Sequence, residues 1–242
     1  MPDSATGSSG GASDDSTAVD GKHARRDAAV DCAVVIAFLV VFFIIVFCVT
    51  ERYAGPITAS CAVVLTTFLL RRRGMRWRDV GLRRPSRLRR LLVQVPVVTV
   101  TWLAVSAGAT ILIEKFLPKP DTSVRFGDLA GNLPATLWWI AIAWLIGGFS
   151  EEMIFRGFLL RRLEVLLPRG TGRTVTAVFL QAVLFGAMHA YNRGLFGFLA
   201  LGAVGAVLGT FYIVFGRNLW PVILAHGLGN TLGFIARYLG PG

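Results

Sequence analysis

Several polar residues of this sequence lie within or beside long apolar stretches and could carry chemistry. Placing a charged side chain at the centre of a bilayer costs about 2.5–3.5 kcal/mol on insertion scales. Such groups usually face one another or a water-filled cavity, and they mark functional sites. We therefore expect these residues to form a site. The set consists of Glu151, Glu152, Arg156, His189, His226 and Asn230.

The spacing of these residues gives the two adjacent acids different partners. On an α-helix, adjacent residues point about 100° apart, whereas residues four apart share a face. Arg156 lies four residues after Glu152. These two are predicted to form an ion pair that holds helices in register. Glu151 has Gly147 and Phe155 at these spacings and therefore remains available for another role.

His226 and Asn230 also lie four residues apart, so they share a helix face. A buried carboxylate can take a proton from water, and His and Asn side chains can donate hydrogen bonds to a developing oxyanion. With Glu151 and His189, this pair predicts a site that activates water. Glu151, His189 and His226 could instead hold a divalent metal such as zinc, because two His and one carboxylate form a common catalytic set.

Composition and hydropathy predict an all-α, polytopic transmembrane helical bundle. The chain has 242 residues, 54% hydrophobic composition and a mean hydropathy of +0.62. Its apolar runs are continuous and approach the roughly 20 residues that a spanning helix needs. About seven spans are predicted, with an eighth, re-entrant segment near residues 157–170 as an alternative. The predicted spans are about 30–49, 56–70, 91–113, 134–163, 173–190, 195–215 and 219–239.

The net charge of +11 comes mostly from Arg residues in a few segments between apolar runs. These basic segments are residues 22–26, 71–90, 161–173 and Arg217, and seven spans place all four on one side. Because basic loops stay in the cytoplasm, we expect an integral, multi-pass cell membrane protein with a cytoplasmic N-terminus. The basic segments would contact anionic lipids. Nucleic-acid binding is not expected, since no motif for it accompanies the charge.

The chain divides into three predicted regions. Residues 1–29 are rich in Ser, Gly, Asp and Ala, which predicts a disordered tail. Residues 30–132 contain the N-terminal transmembrane helices and the Arg-rich cytoplasmic loop. Residues 133–238 contain the polar set and form the third region. The three Cys residues lie in or beside apolar runs without CxxC spacing, which indicates free thiols.

Small residues recur in the sixth predicted span. Gly202, Gly205, Ala206 and Gly209 lie three or four positions apart. Small side chains at this spacing let membrane helices approach closely. We interpret this pattern as helix packing, with no separate function.

Three motifs give the sequence a family resemblance. Residues 151–156 form an EExxxR motif, residues 185–189 an FxxxH motif and residues 226–230 an HxxxN motif. In these motifs and their order, the chain resembles the CAAX-protease and bacteriocin-processing (CPBP) intramembrane proteases, also called the Abi family. Residues 77–85 also look like a segment that often precedes this domain. The motif region covers about residues 133–238.

The resemblance implies a helical-bundle endopeptidase with a membrane-embedded site and a peptide or protein substrate within or at the membrane. It implies that Glu151 is the general base on water and that His189 binds or polarises this water. His226 and Asn230 would stabilise the oxyanion, with Glu152 and Arg156 in support. Family members are commonly labelled metalloproteases, and a metal-free glutamate mechanism is also argued. The sequence lacks the HExxH zinc motif and leaves both open.

Three other functions are alternatives for a chain with polar residues in its apolar stretches. A transporter or proton relay would place acids within the membrane, but no paired inverted halves are visible. An inactive membrane interaction protein of the immunity type would keep the fold without the chemistry. A serine protease would use Ser150 and His189, but no strained nucleophile turn surrounds Ser150.

Overall fold

In the residues that it describes, the computed structural model of the protein has a bundle of seven long helices. It describes residues 11–85, 87–121, 126 and 128–240, with the backbone alone for residues 11–20. A short 3₁₀ turn, Trp77–Val80, lies between the second and third helices. The helices are α1 (Gly11–Val49), α2 (Ala54–Arg72), α3 (Leu88–Ile113), α4 (Leu133–Leu166), α5 (Arg173–Ala187), α6 (Ala190–Val214) and α7 (Leu219–Leu239).

Six of these helices are long and apolar enough to cross a membrane, and α5 is shorter. At 1.5 Å per residue, the 15 residues of α5 span only about 22 Å. Large apolar side chains such as Val64, Val100 and Val175 lie exposed on the outer surface of the bundle, as expected for contact with lipid. The predicted polytopic helical bundle is confirmed. Residues 157–166 continue α4, so the alternative of a re-entrant segment there is wrong.

The predicted tail is helical where the structure describes it. Residues 1–10 lie outside the described residues, but α1 begins at Gly11, so a disordered tail up to residue 29 is wrong for residues 11–29. The physical reason lies in the charged residues near the predicted boundary. Asp31 is fully buried and pairs with Arg73 and Arg162, and Asp27 also pairs with Arg73. These contacts to α2 and α4 hold the first helix in place beyond its apolar part.

Two ends of the bundle can be distinguished by the segments that meet there. The basic end comprises the start of α1, residues 71–90, the α4–α5 connection and the α6–α7 turn. Besides the Asp31 pairs, the buried carboxylate of Glu164 lies 2.7 Å from both Arg161 and Arg217 and accepts a hydrogen bond from Thr174. The four basic segments therefore lie on one side of the bundle, as the sequence predicts.

The opposite end comprises the α1–α2 turn, the α3–α4 connection, the α5–α6 turn and the end of α7. Arg52 pairs with Asp128 at 2.8 Å, and the backbone N–H of Gly131 donates to the carbonyl of Tyr238. The hydrogen bond from Arg52 lowers the pKa of the Asp128 carboxyl. Arg125, counted with this side in the sequence, lies outside the described residues.

The small residues of α6 pack against α5, as predicted. A Cβ on Gly205 would lie 3.2 Å from Ala182 and Phe185, and one on Gly186 of α5 would lie 2.3 Å from the carbonyl of Phe198. Residues on both helices must therefore stay small for the backbones to approach this closely. The first turn of α6 is bent at Gly194, whose φ of +55° suits a residue without a side chain.

The middle of α4 departs from regular α-helical geometry. Backbone hydrogen bonds in Trp144–Glu151 and Met153–Leu159 skip one additional residue, as in a π-helix. Such segments are rare and occur frequently at functional sites. Both acids of the EExxxR motif lie in or between these two segments. This widened part of α4 is the wall of the site described next.

Candidate active site

One cavity of about 320 Å³ gathers residues from all three motifs. Glu151 of α4, His189 of the α5–α6 turn, and His226 and Asn230 of α7 all line it. A volume of this size can hold several water molecules, because each occupies about 30 Å³ in the liquid. The predicted meeting of these four residues in one cavity is therefore present in the structure.

Glu152 points away from the cavity into a buried polar cluster. Its Oε1 lies 2.8 Å from Nη1 of Arg156, and both side chains are fully buried. The predicted ion pair is confirmed. The other terminal nitrogen of Arg156, Nη2, donates to the carbonyl of Gly205 at 3.2 Å, and its guanidinium lies 4.5 Å from the centre of the Phe185 ring. Arg156 thus links α4 to α5 and α6.

The same carboxylate oxygen also contacts a histidine, which sequence reasoning missed. Nδ1 of His226 lies 2.8 Å from Oε1 of Glu152. Because an ionised carboxylate can only accept, Nδ1 of His226 is the donor. A carboxylate in this position fixes the tautomer and orientation of the ring, leaving Nε2 for the cavity. No local spacing indicates this contact, because the two residues lie 74 positions apart.

The ring of His189 is held by its own polypeptide segment. Its Nδ1 lies 2.8 Å from the carbonyl oxygen of Phe185, which can only accept a hydrogen bond. In the neutral ring, Nδ1 therefore carries the proton, and Nε2 keeps a lone pair that can accept a hydrogen bond from water. The Phe185 ring lies 4.6 Å from the His189 ring and 6.4 Å from the His226 ring, so one aromatic side chain contacts both imidazoles.

Two features bring the histidines together in depth. Helix α5 ends at Ala187, earlier than the predicted residue 190, so His189 lies in the turn between two helices inside the bundle. Helix α7 begins below the surface of the basic end, since Leu219 is fully buried and its N–H donates to the carbonyl of Gly81. His226 lies about two turns after this buried start. It is therefore deeper in the bundle than it would be if α7 began at the surface.

Gly147 provides the space for the Asn230 amide. A Cβ at residue 147 would lie 2.5 Å from Nδ2 of Asn230 and 3.5 Å from Nε2 of His226. The residue one turn before Glu151 must therefore lack a side chain. Gly148 has a similar role in packing, because a Cβ there would lie 3.2 Å from the backbone of Gly227. These glycines let α4 approach α7 closely enough to share one site.

The donor groups are not arranged as a preassembled metal site. Among the residues that the structure describes, no group of three or more His, Cys, Asp or Glu side chains could hold a metal ion. Nδ1 of His226 is already bonded to Glu152. The zinc set of Glu151, His189 and His226 stays a prediction, and the chemistry below is derived from side chains of the chain alone.

Ser150 does not have the surroundings of a nucleophile. It is 4% exposed, and its hydroxyl donates to the carbonyl of Leu145 at 2.8 Å. It does not line the cavity that contains His189. This geometry disfavours the serine-protease alternative. The cysteines Cys32, Cys48 and Cys61 are free, as predicted.

Comparison with known families agrees with the geometry. Residues 133–232 match the family described as type II CAAX prenyl endopeptidase Rce1-like. The match covers 100 of the 242 residues of the chain. The Rce1-like region contains all three motifs and every residue of the polar set, which confirms the resemblance predicted from the sequence. No curated protein and no solved structure matches the chain.

Proposed function

We propose that the protein is an intramembrane endopeptidase that hydrolyses peptide bonds with a water molecule activated by Glu151. The observation that carries this proposal is the presence of Glu151, His189, His226 and Asn230 around one cavity inside the bundle. The match of residues 133–232 to the Rce1-like family supports a CAAX-protease type of enzyme. A peptide or protein segment at the membrane is the substrate class that follows.

The first step of the proposed reaction forms the nucleophile. The Glu151 carboxylate takes a proton from water, and Nε2 of His189 accepts the second hydrogen of that water as a hydrogen bond. The water oxygen then forms a bond to the carbonyl carbon of the scissile peptide. The carbonyl π electrons move to its oxygen, which becomes an oxyanion.

The oxyanion is stabilised from α7. Nδ2 of Asn230 can donate to it, and so can Nε2 of His226 when that ring is protonated. The contact of Nδ1 with the buried carboxylate of Glu152 holds the His226 ring with Nε2 available to the cavity. Arg156 balances the charge of Glu152 in a fully buried ion pair. This pairing avoids an uncompensated charge at Glu152 within the membrane.

The last step breaks the peptide bond. The oxyanion collapses to a carbonyl, the C–N bond breaks, and Glu151 gives its proton to the leaving amine nitrogen. The products are a new carboxyl group and a new amine, and Glu151 returns to its ionised form. Glu152 and Arg156 touch none of the reacting atoms and act as positioning residues.

The proposal is tested by incubating the purified protein in detergent with a panel of internally quenched peptides in ¹⁸O-labelled water. We expect cleavage at one peptide bond and one ¹⁸O atom in the new carboxyl group, measured by mass spectrometry. Absence of cleavage together with substrate-dependent proton flux in liposomes would instead support the transporter alternative. Absence of both would support an inactive interaction protein.

A further inference from the structure

The cavity extends from the site to one end of the bundle. Its lining includes Gly55 and Pro56 at the start of α2, Phe126 in the α3–α4 connection and Phe234 in the last two turns of α7. All four lie at the opposite end. The lining contains Arg193, near the start of α6, and Glu151, which lies near the middle of α4. A peptide could therefore reach the site from the opposite end without displacing a helix.

The basic end covers the site instead of opening onto it. The segment with the 3₁₀ turn packs across this end: the Tyr212 hydroxyl donates to the carbonyl of Val80, and the Leu219 N–H donates to that of Gly81. Val80, Tyr212 and Leu219 are all buried. Along α4, the fully buried pair of Glu152 and Arg156 lies between Glu151 and the segments of the basic end.

The distribution of charge assigns sides of the membrane to the two ends. Most of the 25 Lys and Arg residues of the chain belong to segments at the basic end. Basic segments near the ends of membrane spans stay in the cytoplasm. Among the described residues, the Lys and Arg residues in segments at the opposite end are Arg52, Lys115, Lys119, Arg193 and Arg237.

From these observations we infer that the cavity opens on the extracytoplasmic side and that the substrate is a peptide segment with apolar side chains presented there. This inference deepens the proposed function and rests on it. The apolar preference follows from the entrance, where aromatic rings of Phe126, Trp139 and Phe234 lie within 6.4 Å of one another and line the cavity. Burial of apolar side chains against such rings favours binding. A peptide in the cytoplasm meets the covered end.

The test uses single cysteines and a membrane-impermeant, charged methanethiosulfonate reagent. The background carries Cys48→Ser and Cys61→Ser and keeps the buried Cys32. Ser106→Cys reports on the cavity, because Ser106 lines it and differs from cysteine by one atom. Glu51→Cys reports on the opposite end and Arg84→Cys on the basic end, since both residues are exposed. The background protein without an added cysteine is the negative control.

In intact cells we expect the reagent to label Ser106→Cys and Glu51→Cys, and to label Arg84→Cys only after the membranes are inverted. Labelling of Ser106→Cys in inverted vesicles alone would overturn the inference, because the cavity would then open to the cytoplasm. Labelling of Ser106→Cys from neither side would also overturn it, because the cavity would then be closed. Labelling of Arg84→Cys in intact cells would also overturn the inference, because the basic end would then lie outside the cytoplasm.

A second arm separates this inference from the proposed function. An internally quenched decapeptide with Leu and Phe around its centre is added to sealed vesicles of either orientation. We expect cleavage in right-side-out vesicles and at least a tenfold lower rate in inverted ones. If neither orientation cleaves the peptide, the proposed function loses support, whereas the thiol labelling still decides the side on which the cavity opens.

Discussion

At the scale of single residues, the site depends on two adjacent acids that lie in different environments. Glu151 lines the cavity, whereas Glu152 is fully buried with Arg156 and His226. The spacing within the sequence predicted the Glu152–Arg156 pair, because residues four apart share a helix face. It could not predict the contact with His226, since that contact depends on how α7 packs against α4.

Gly147 offers a test of the space around Asn230. In Gly147→Ala, the new Cβ would lie 2.5 Å from Nδ2 of Asn230, so the amide must move while the helix itself is undisturbed. We expect kcat to fall by about 10–100-fold, less than the roughly 10²–10³-fold for loss of an oxyanion donor, because the amide is displaced and not removed. The control is Gly233→Ala on α7, where a Cβ would meet no atom within 4 Å. Equal rates for the two variants would contradict this role of Gly147.

Asn230→Asp tests the donor itself. The substitution keeps the shape of the side chain but replaces the N–H donor with an oxygen that cannot donate when ionised. We expect kcat to fall by about 10²–10³-fold with little change in KM, because the lost hydrogen bond forms only as the oxyanion develops. Steady-state kinetics on one cleaved peptide measure both. A change confined to KM would mean that Asn230 binds substrate without stabilising the oxyanion.

At the scale of the helices, glycines set the distance between α7 and its neighbours. A Cβ on Gly229 would lie 1.2 Å from the ring of Trp102 on α3, and one on Gly227 would lie 2.5 Å from the ring of Trp144 on α4. The HxxxN motif thus combines its polar residues with two glycines that admit indole rings. The structure assigns both glycines to close packing.

Gly229→Ala should therefore destabilise the bundle. Overpacking a well-filled interior costs about 1–3 kcal/mol, and here the Trp102 ring must move. We expect a fall of several degrees in the unfolding temperature in detergent, followed by intrinsic fluorescence. Gly108→Ala on α3 is the control, since a Cβ there meets no atom within 4 Å. Partial recovery in the double variant Gly229→Ala, Trp102→Leu would identify the clash as the cause, and no recovery would argue against it.

The helix bounds show what apolar runs can and cannot predict. Within lipid, a chain must satisfy its own backbone hydrogen bonds, so continuous apolar runs become helices. The prediction for the last span, 219–239, agrees with α7 (Leu219–Leu239). The same pattern gives no indication of the π-helical geometry around Glu151 or of the early end of α5 at Ala187. Both depend on packing between helices, which periodicity does not encode.

At the scale of the whole molecule, charged residues at the basic end connect segments that are distant in the sequence. Glu164 is 2% exposed and bridges Arg161, Arg217 and Thr174. The sequence places these residues on one side of the membrane but does not show that they share a single carboxylate. The two Arg side chains are about one-third exposed, so solvent screens part of each interaction.

Glu164→Gln should loosen this end without altering the cavity. The variant leaves two cations without their carboxylate, and we expect a loss of about 1–3 kcal/mol in the free energy of unfolding. Thermal unfolding in detergent measures it, with the exposed residue Glu51 changed to Gln as the control. The peptide cleavage rate below the unfolding temperature should stay within about twofold of the original. An unchanged unfolding temperature would show that the bridge contributes no stability.

The central claim is that Glu151 activates water, and the rate of Glu151→Gln on a cleaved peptide tests it most directly. The amide has nearly the same shape as the carboxylate but cannot take a proton from water. We predict that the hydrolysis rate falls by about 10²–10⁴-fold, the range expected for loss of a general base, while the unfolding temperature stays close to that of the original protein. A folded Glu151→Gln protein that cleaves at the original rate would contradict the account.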